Sequence, residues 1–259
     1  MKEFFTRAIF AVIYGATLLL STYYSKHSFY AVFFIIMLLC LKEFKKLISF
    51  PKKWIFVIAI LLYLSFTDYF NGYIIYTFTI ISVVIPFVNY FIKDKISKED
   101  ISNFFLSIIY VILPFGLLIR IPFAQGTYNP TIILAVFILI WSNDTFAYIF
   151  GKSFGKHKLI ERISPNKTIE GFIGGLIATN VIGYIIAQYH HELNTLHWFI
   201  LANISGLFAV MGDLVESKFK RLAHVKDSAN VIPGHGGFLD RLDSLILVAP
   251  FVYLFLQLL

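Results

Sequence analysis

The feature that most constrains this chain is a series of apolar stretches, most of them near the length of a bilayer crossing, with nearly all the charge in the links between them. A hydrocarbon core takes about 20 apolar residues per straight helix. Within lipid every backbone N–H and C=O must be satisfied inside the segment, which favours helices. Nine candidate spans follow, near residues 8–24, 29–41, 54–66, 73–92, 104–119, 130–150, 171–189, 198–211 and 245–259. The expected fold class is all-α, a polytopic integral membrane protein with about nine transmembrane helices. Composition agrees: 58% of the 259 residues are hydrophobic and only 14% are charged, against about a quarter charged in soluble domains.

The basic residues orient the spans. With the N-terminus inside, the inner side holds Lys2 and Arg7, then the lysines of 42–53 and 93–98, then the cations of 152–167 and 218–241. Only Lys26 and Arg120 are left outside, so 20 of 22 obey the positive-inside rule. The expectation is N-in, C-out, in a bacterial-type inner membrane. The net charge of +7 is read as topology, with no nucleic-acid partner. The first span follows Lys2 and Arg7 as a signal peptide would, but no A-x-A site follows, so it is read as a retained helix. A single cysteine, Cys40, excludes an intrachain disulfide. The outer loop carries His190, His191, Glu192 and His197 without H-E-x-x-H spacing and is read as a solvated loop. Residues 1–100 are taken as transmembrane scaffold. Residues 101–259 are taken as a catalytic region with two cytosolic motif loops.

The chemistry gathers in 211–244, MGDLVESKFKRLAHVKDSANVIPGHGGFLDRLDS. Charge this dense beside apolar spans marks a functional site. Asp213, Glu216, Ser217, Lys220, Arg221 and His224 share one face of a helix, acids at the membrane end and cations one to two turns on. That order suits a hard cation beside a bound polyphosphate, though a solvated amphipathic helix has the same period. Gly234, Gly236 and Gly237 around His235 allow close backbone approach to an anion, or make a plain turn. Asp240 and Asp243 flank Arg241 at the start of the last span, where helix capping competes for one of them. The second loop starts at Asp144 inside the sixth span and runs through GKSFGKHKL and SPNKTIEG. Gly151-Lys152-Ser153 ends like a Walker loop, but Phe146 stands where its first glycine belongs. Ser164-Pro165 and Thr168 with Glu170 also fit ordinary helix-start chemistry. Lys167 is read as a phosphate ligand.

Ser217-Lys218-Phe219-Lys220-Arg221, Lys226-Asp227, Pro233, His235-Gly236-Gly237 and Asp240-Arg241-Leu242-Asp243 together closely resemble the signature of phosphatidate cytidylyltransferases, or CDP-diacylglycerol synthases. The loop from Asp144 through SPNKTIEG also resembles that family, except for Ile169, where an aromatic is common. The resemblance covers the C-terminal half. It implies a membrane enzyme joining CTP and phosphatidate into CDP-diacylglycerol. It further implies a homodimer, and Mg²⁺ and K⁺ held around Asp213 and Asp240. Lys220, Arg221, Lys226, Asp227 and Arg241 are the expected catalytic residues. Asp144, Lys167, Ser217, His235, Gly236, Gly237 and Asp243 are the expected substrate contacts. A transporter would show internal repeats, and none relates the two halves. The D-G-x-x-A-R pattern of CDP-alcohol phosphotransferases is also absent.

Overall fold

Apolar runs become helices, and Ser25, Thr168 and Asn194 cap the starts of three of them. The structure, a computed structural model, describes residues 2–67, 100–229, 231 and 236–259. The expected span at 73–92 and the expected contact His235 lie outside the described residues. Helix α1 (Lys2–Tyr24) gives way at Ser25 to α2 (Lys26–Leu47), whose first turn is capped where the Ser28 amide donates to Ser25 Oγ at 3.1 Å. Helix α3 (Ile55–Ser65) is short and uniformly apolar. Helix α4 (Asp100–Ser107) passes through a wide π turn, Ile108–Ile112, into α5 (Leu113–Leu118). Pro114 has no amide hydrogen to donate, which favours the looser turn before it.

Helix α6 (Thr131–Phe154) leads into a hairpin of β1 (Lys158–Ile160) and β2 (Ser164–Thr168). The strands are antiparallel, Lys158 opposite Thr168 and Ile160 opposite Ser164. The sequence suggests a loop here, with Ser164-Pro165 as helix-start chemistry; in the fold both are strand residues. Thr168 does start a helix: the Gly171 amide donates to its Oγ1 at 3.1 Å, opening α7 (Ile169–Tyr189). Asn194 caps α8 (Thr195–Leu222) in the same way through the His197 amide. Helix α9 (Leu239–Gln257) closes the described chain.

Apart from the hairpin the described fold is helical. Among the described residues five stretches are long and apolar enough to cross a membrane: Lys26–Leu47, Ser102–Phe123, Thr131–Phe154, Ile169–Tyr189 and Thr195–Leu222. Ile9–Tyr24 and Ile55–Ser65 are shorter apolar helices. Helix α2 runs six residues past the expected end at 41, and α8 carries the expected eighth span and the charged stripe as one rod. Small residues let these rods approach closely, as membrane helices require. A methyl group on Gly174 would strike the Phe150 ring on α6, and one on Gly183 would strike Ala202 on α8.

Candidate active site

The site is built where α8 meets α9. Gly212 allows it: a Cβ there would lie 2.9 Å from Ser244 Cα and would overlap the Asp243 carbonyl oxygen. With only hydrogen at 212 the backbones touch, and Ser244 Oγ donates to the Ala209 carbonyl at 3.1 Å across the crossing. The next residue on α8 is Asp213, so the crossing brings it beside Asp243 and the first turn of α9. Ser217, one turn on, donates to Asp213 Oδ1 at 3.1 Å.

The loop between α8 and α9 is folded around Asp240. Its Oδ2 accepts from the amide of Ser228 (2.9 Å), the hydroxyl of Ser228 (2.9 Å) and the amide of Gly237 (2.8 Å). Its Oδ1 meets Lys220 Nζ at 2.7 Å. Gly236 has φ +82° and packs so tightly that a Cβ would lie 2.6 Å from Asp240 Oδ2; both facts call for glycine. Thus Gly237 turns its amide onto Asp240. Lys220 stands between Asp240 and the wholly buried Glu216, with which it forms an i, i+4 ion pair. Among the described residues Glu216 Oε1 has no hydrogen-bond partner, and Oε2 pairs with that ammonium. A charge buried this deeply needs such a partner.

The hairpin supplies the facing wall. Lys167, near the end of β2, reaches across to Asp213 Oδ2 at 2.6 Å. Glu170 holds the hairpin onto α7 by accepting from the amides of Lys156 (3.1 Å) and His157 (3.2 Å) and pairing with His157 Nδ1 at 2.7 Å. Gly171 lets α7 lie against Ala147 of α6, since a Cβ there would come within 2.7 Å of the Ala147 carbonyl oxygen.

These elements enclose a cavity of about 1020 Å³. Its polar end takes Asp144 and Lys152 from α6, Lys167 from β2, Asp213 and Lys220 from α8, and Asp227 from the loop. Asp240, Arg241 and Asp243 from α9 complete it. Its lining also includes the apolar side chains of Phe10, Leu18, Phe137, Ile140 and Leu245. Most residues singled out in the sequence therefore meet in one place. Arg221 instead donates from Nε to the Ile163 carbonyl of the hairpin turn at 3.3 Å. Lys226 is exposed in the loop, and Ser217, Gly236 and Gly237 act on Asp213 and Asp240 from behind.

Two acids at the site escaped the sequence-based choice of site residues. Glu216 lies on the charged stripe of α8, and its depth comes from packing that periodicity does not reveal. Glu43, on α2, is 5% exposed and reaches the start of α9. Its signal was present: it continues the stripe Phe33, Ile36, Cys40 and Leu47, all buried, at helical spacing.

Five carboxylates face four cations among the described residues lining the cavity. A polyphosphate entering this balance would be repelled unless metal cations came with it. The donors are hard oxygens, as Mg²⁺ prefers. Among the described residues no three metal-ligating side chains are grouped tightly enough to enclose an ion alone.

A family model described as the cytidylyltransferase family matches residues 5–259. The phosphatidate cytidylyltransferase of Staphylococcus haemolyticus is 37% identical over 232 residues, 86% of this chain and 87% of that protein. The protein of the same name from Staphylococcus aureus (strain COL) is 43% identical over 166 residues, 63% of this chain and 62% of its own. The one from Bacillus subtilis is 40% identical over 170 residues, 64% and 62% of the two chains.

Proposed function

The chain belongs to the cytidylyltransferase family, and from that premise we propose that it transfers the cytidylyl group of CTP to phosphatidate, giving CDP-diacylglycerol and pyrophosphate. The observation that carries this reading is the mixed lining of one cavity, with charged side chains for phosphates and apolar ones for acyl chains.

In the reaction a phosphatidate oxygen forms a bond to the α-phosphorus of CTP, and the bond from that phosphorus to the bridging oxygen of pyrophosphate breaks. A phosphomonoester has a second pKa of about 6, so the nucleophile is already largely a dianion and needs no strong base. What must be overcome is the meeting of two polyanions, and catalysis is mostly positioning and charge neutralisation. Lys167, Lys220 and Arg241 supply the fixed positive charge inside the cavity. Asp213, Asp243 and Asp144 offer carboxylate oxygens to Mg²⁺, with K⁺ as a second cation. Asp240 keeps Lys220 and the glycine loop in place and adds one oxygen at the cavity edge. When bound, Mg²⁺ would draw charge from the phosphates and the departing pyrophosphate. Arg221 and Lys226 act at the rim, where CTP arrives from water. His235 is assigned to the nucleotide, Gly236 and Gly237 shape the loop around Asp240, and Asp227 orients that loop.

The same reading includes about nine spans with the N-terminus inside, the cavity opening at the cytosolic edge of the inner membrane, and a homodimer with no nucleic-acid partner. The placement of 20 of 22 basic residues on one side supports the orientation. The test is incubation of purified protein with phosphatidate, Mg²⁺ and cytidine-labelled CTP. A lipid-soluble cytidine product, absent from the Asp213→Asn variant, is expected. No product from wild type, with solute flux in vesicles instead, would replace this reading with a transporter.

A further inference from the structure

One carboxylate outside both motif loops reaches the site from the N-terminal helices. Glu43 accepts from the amide of Phe238 at 3.0 Å (Oε1) and from the amide of Leu239 at 2.8 Å (Oε2). These are first-turn donors of α9, and no side chain of the helix's own N-cap residue bonds to them. Leu239 is fully buried, so its amide would otherwise lack a partner. A carboxylate there also meets the positive end of the helix dipole.

Glu43 does more than cap. Ser228 Oγ lies 3.0 Å from Glu43 Oε2 and 2.9 Å from Asp240 Oδ2, so a single hydroxyl joins the two acids. Asp240 in turn holds Lys220 at 2.7 Å. A continuous chain of contacts, Glu43 to Ser228 to Asp240 to Lys220, therefore runs from α2 into the charged end of the cavity. Gly237 makes room for it: a Cβ at 237 would collide with both Ser228 Oγ and Glu43 Oε2.

We propose that Glu43 is a positioning residue for the transfer reaction: through the start of α9 and the Ser228 hydroxyl it fixes Asp240, Lys220 and Arg241 in the cavity. The proposal rests on the reading of that cavity as the active site. Removing the clamp frees the first turn of α9 and the loop before it, and displacements of about 1 Å cost such sites up to roughly 100-fold in rate.

The experiment compares wild type, Glu43→Ala, Glu43→Gln and a control, Lys45→Gln, in detergent. Turnover is expressed per folded molecule, with KM for CTP and melting temperature measured alongside. Lys45 is two residues on, about 200° around the helix, and its ammonium donates to the Lys52 carbonyl, away from the site. Glu43→Gln keeps one acceptor oxygen and should lower kcat about 10-fold, with KM for CTP changed less than kcat. Glu43→Ala should lose more. Lys45→Gln should melt earlier with unchanged kcat. Wild-type kcat per folded molecule in Glu43→Gln would overturn the proposal, whether or not Glu43→Ala folds. So would an equal loss of kcat in Lys45→Gln, which would make the effect general destabilisation. Failure of the wild type to form a cytidine lipid would instead sink the functional reading beneath it.

Discussion

Gly212→Ala adds one methyl group at the point where α8 and α9 touch. The added Cβ would lie 2.9 Å from Ser244 Cα, where ordinary contact begins at 3.4 Å, and would overlap the Asp243 carbonyl oxygen still more severely. Both obstacles are backbone, so no rotamer change relieves them; the helices must part by about half an ångström or more. Overpacking of this kind costs typically 1–3 kcal/mol. The separation falls between Asp213 on one helix and Asp243 on the other, both on the cavity wall. A shift approaching 1 Å between such groups costs up to about 100-fold in rate, so a loss of roughly 10- to 100-fold in kcat is expected. The assay is CDP-diacylglycerol formation by purified variant, with thermal melting of the same sample. Leu207→Ala, at a partly exposed position on α8, should leave turnover unchanged. Gly212→Ala with wild-type turnover and melting would refute the claim that a backbone-tight crossing assembles the site.

Lys167→Met should lower kcat/KM for CTP on the order of 100-fold, since a charge-assisted hydrogen bond is worth up to about 3 kcal/mol; steady-state kinetics at saturating phosphatidate checks it. Glu170→Ala removes the anchor of the hairpin that carries Lys167, and should raise KM for CTP several-fold with a smaller change in kcat. On the proposed reading, chelation of divalent cations should abolish turnover and added Mg²⁺ should restore it. K⁺ alone should not.

Much of the site was legible in the chain because its chemistry is contiguous. Asp213, Lys220, Asp240, Arg241 and Asp243 fall within 31 residues of one another, and helical period alone places the first two on one face. Lys167 came from a separate loop, and resemblance rather than periodicity tied it to the others; its partner, Asp213, appears only in three dimensions. The sequence assigns Arg221 to phosphate; in the fold its Nε also meets the Ile163 carbonyl of the hairpin turn, a neighbour that a helical period cannot name. The hairpin itself was missed because Ser164-Pro165-Asn166-Lys167-Thr168 has turn-forming composition and only short, local pairing. Glu43 was hidden by its neighbours. Among Lys42, Lys45 and Lys46 it looks like part of a wet basic loop, whereas α2 continues through it and turns it inward.

The central claim is that a lipid phosphate attacks the α-phosphorus of a nucleotide bound in this cavity. It is tested most directly by supplying phosphatidate with CTP labelled at either the α- or the γ-phosphorus and counting label in the organic phase. The expected result is complete retention of α label in a lipid product and release of γ label as water-soluble pyrophosphate. Label from the γ position in lipid, or none from the α position with active protein, would contradict it.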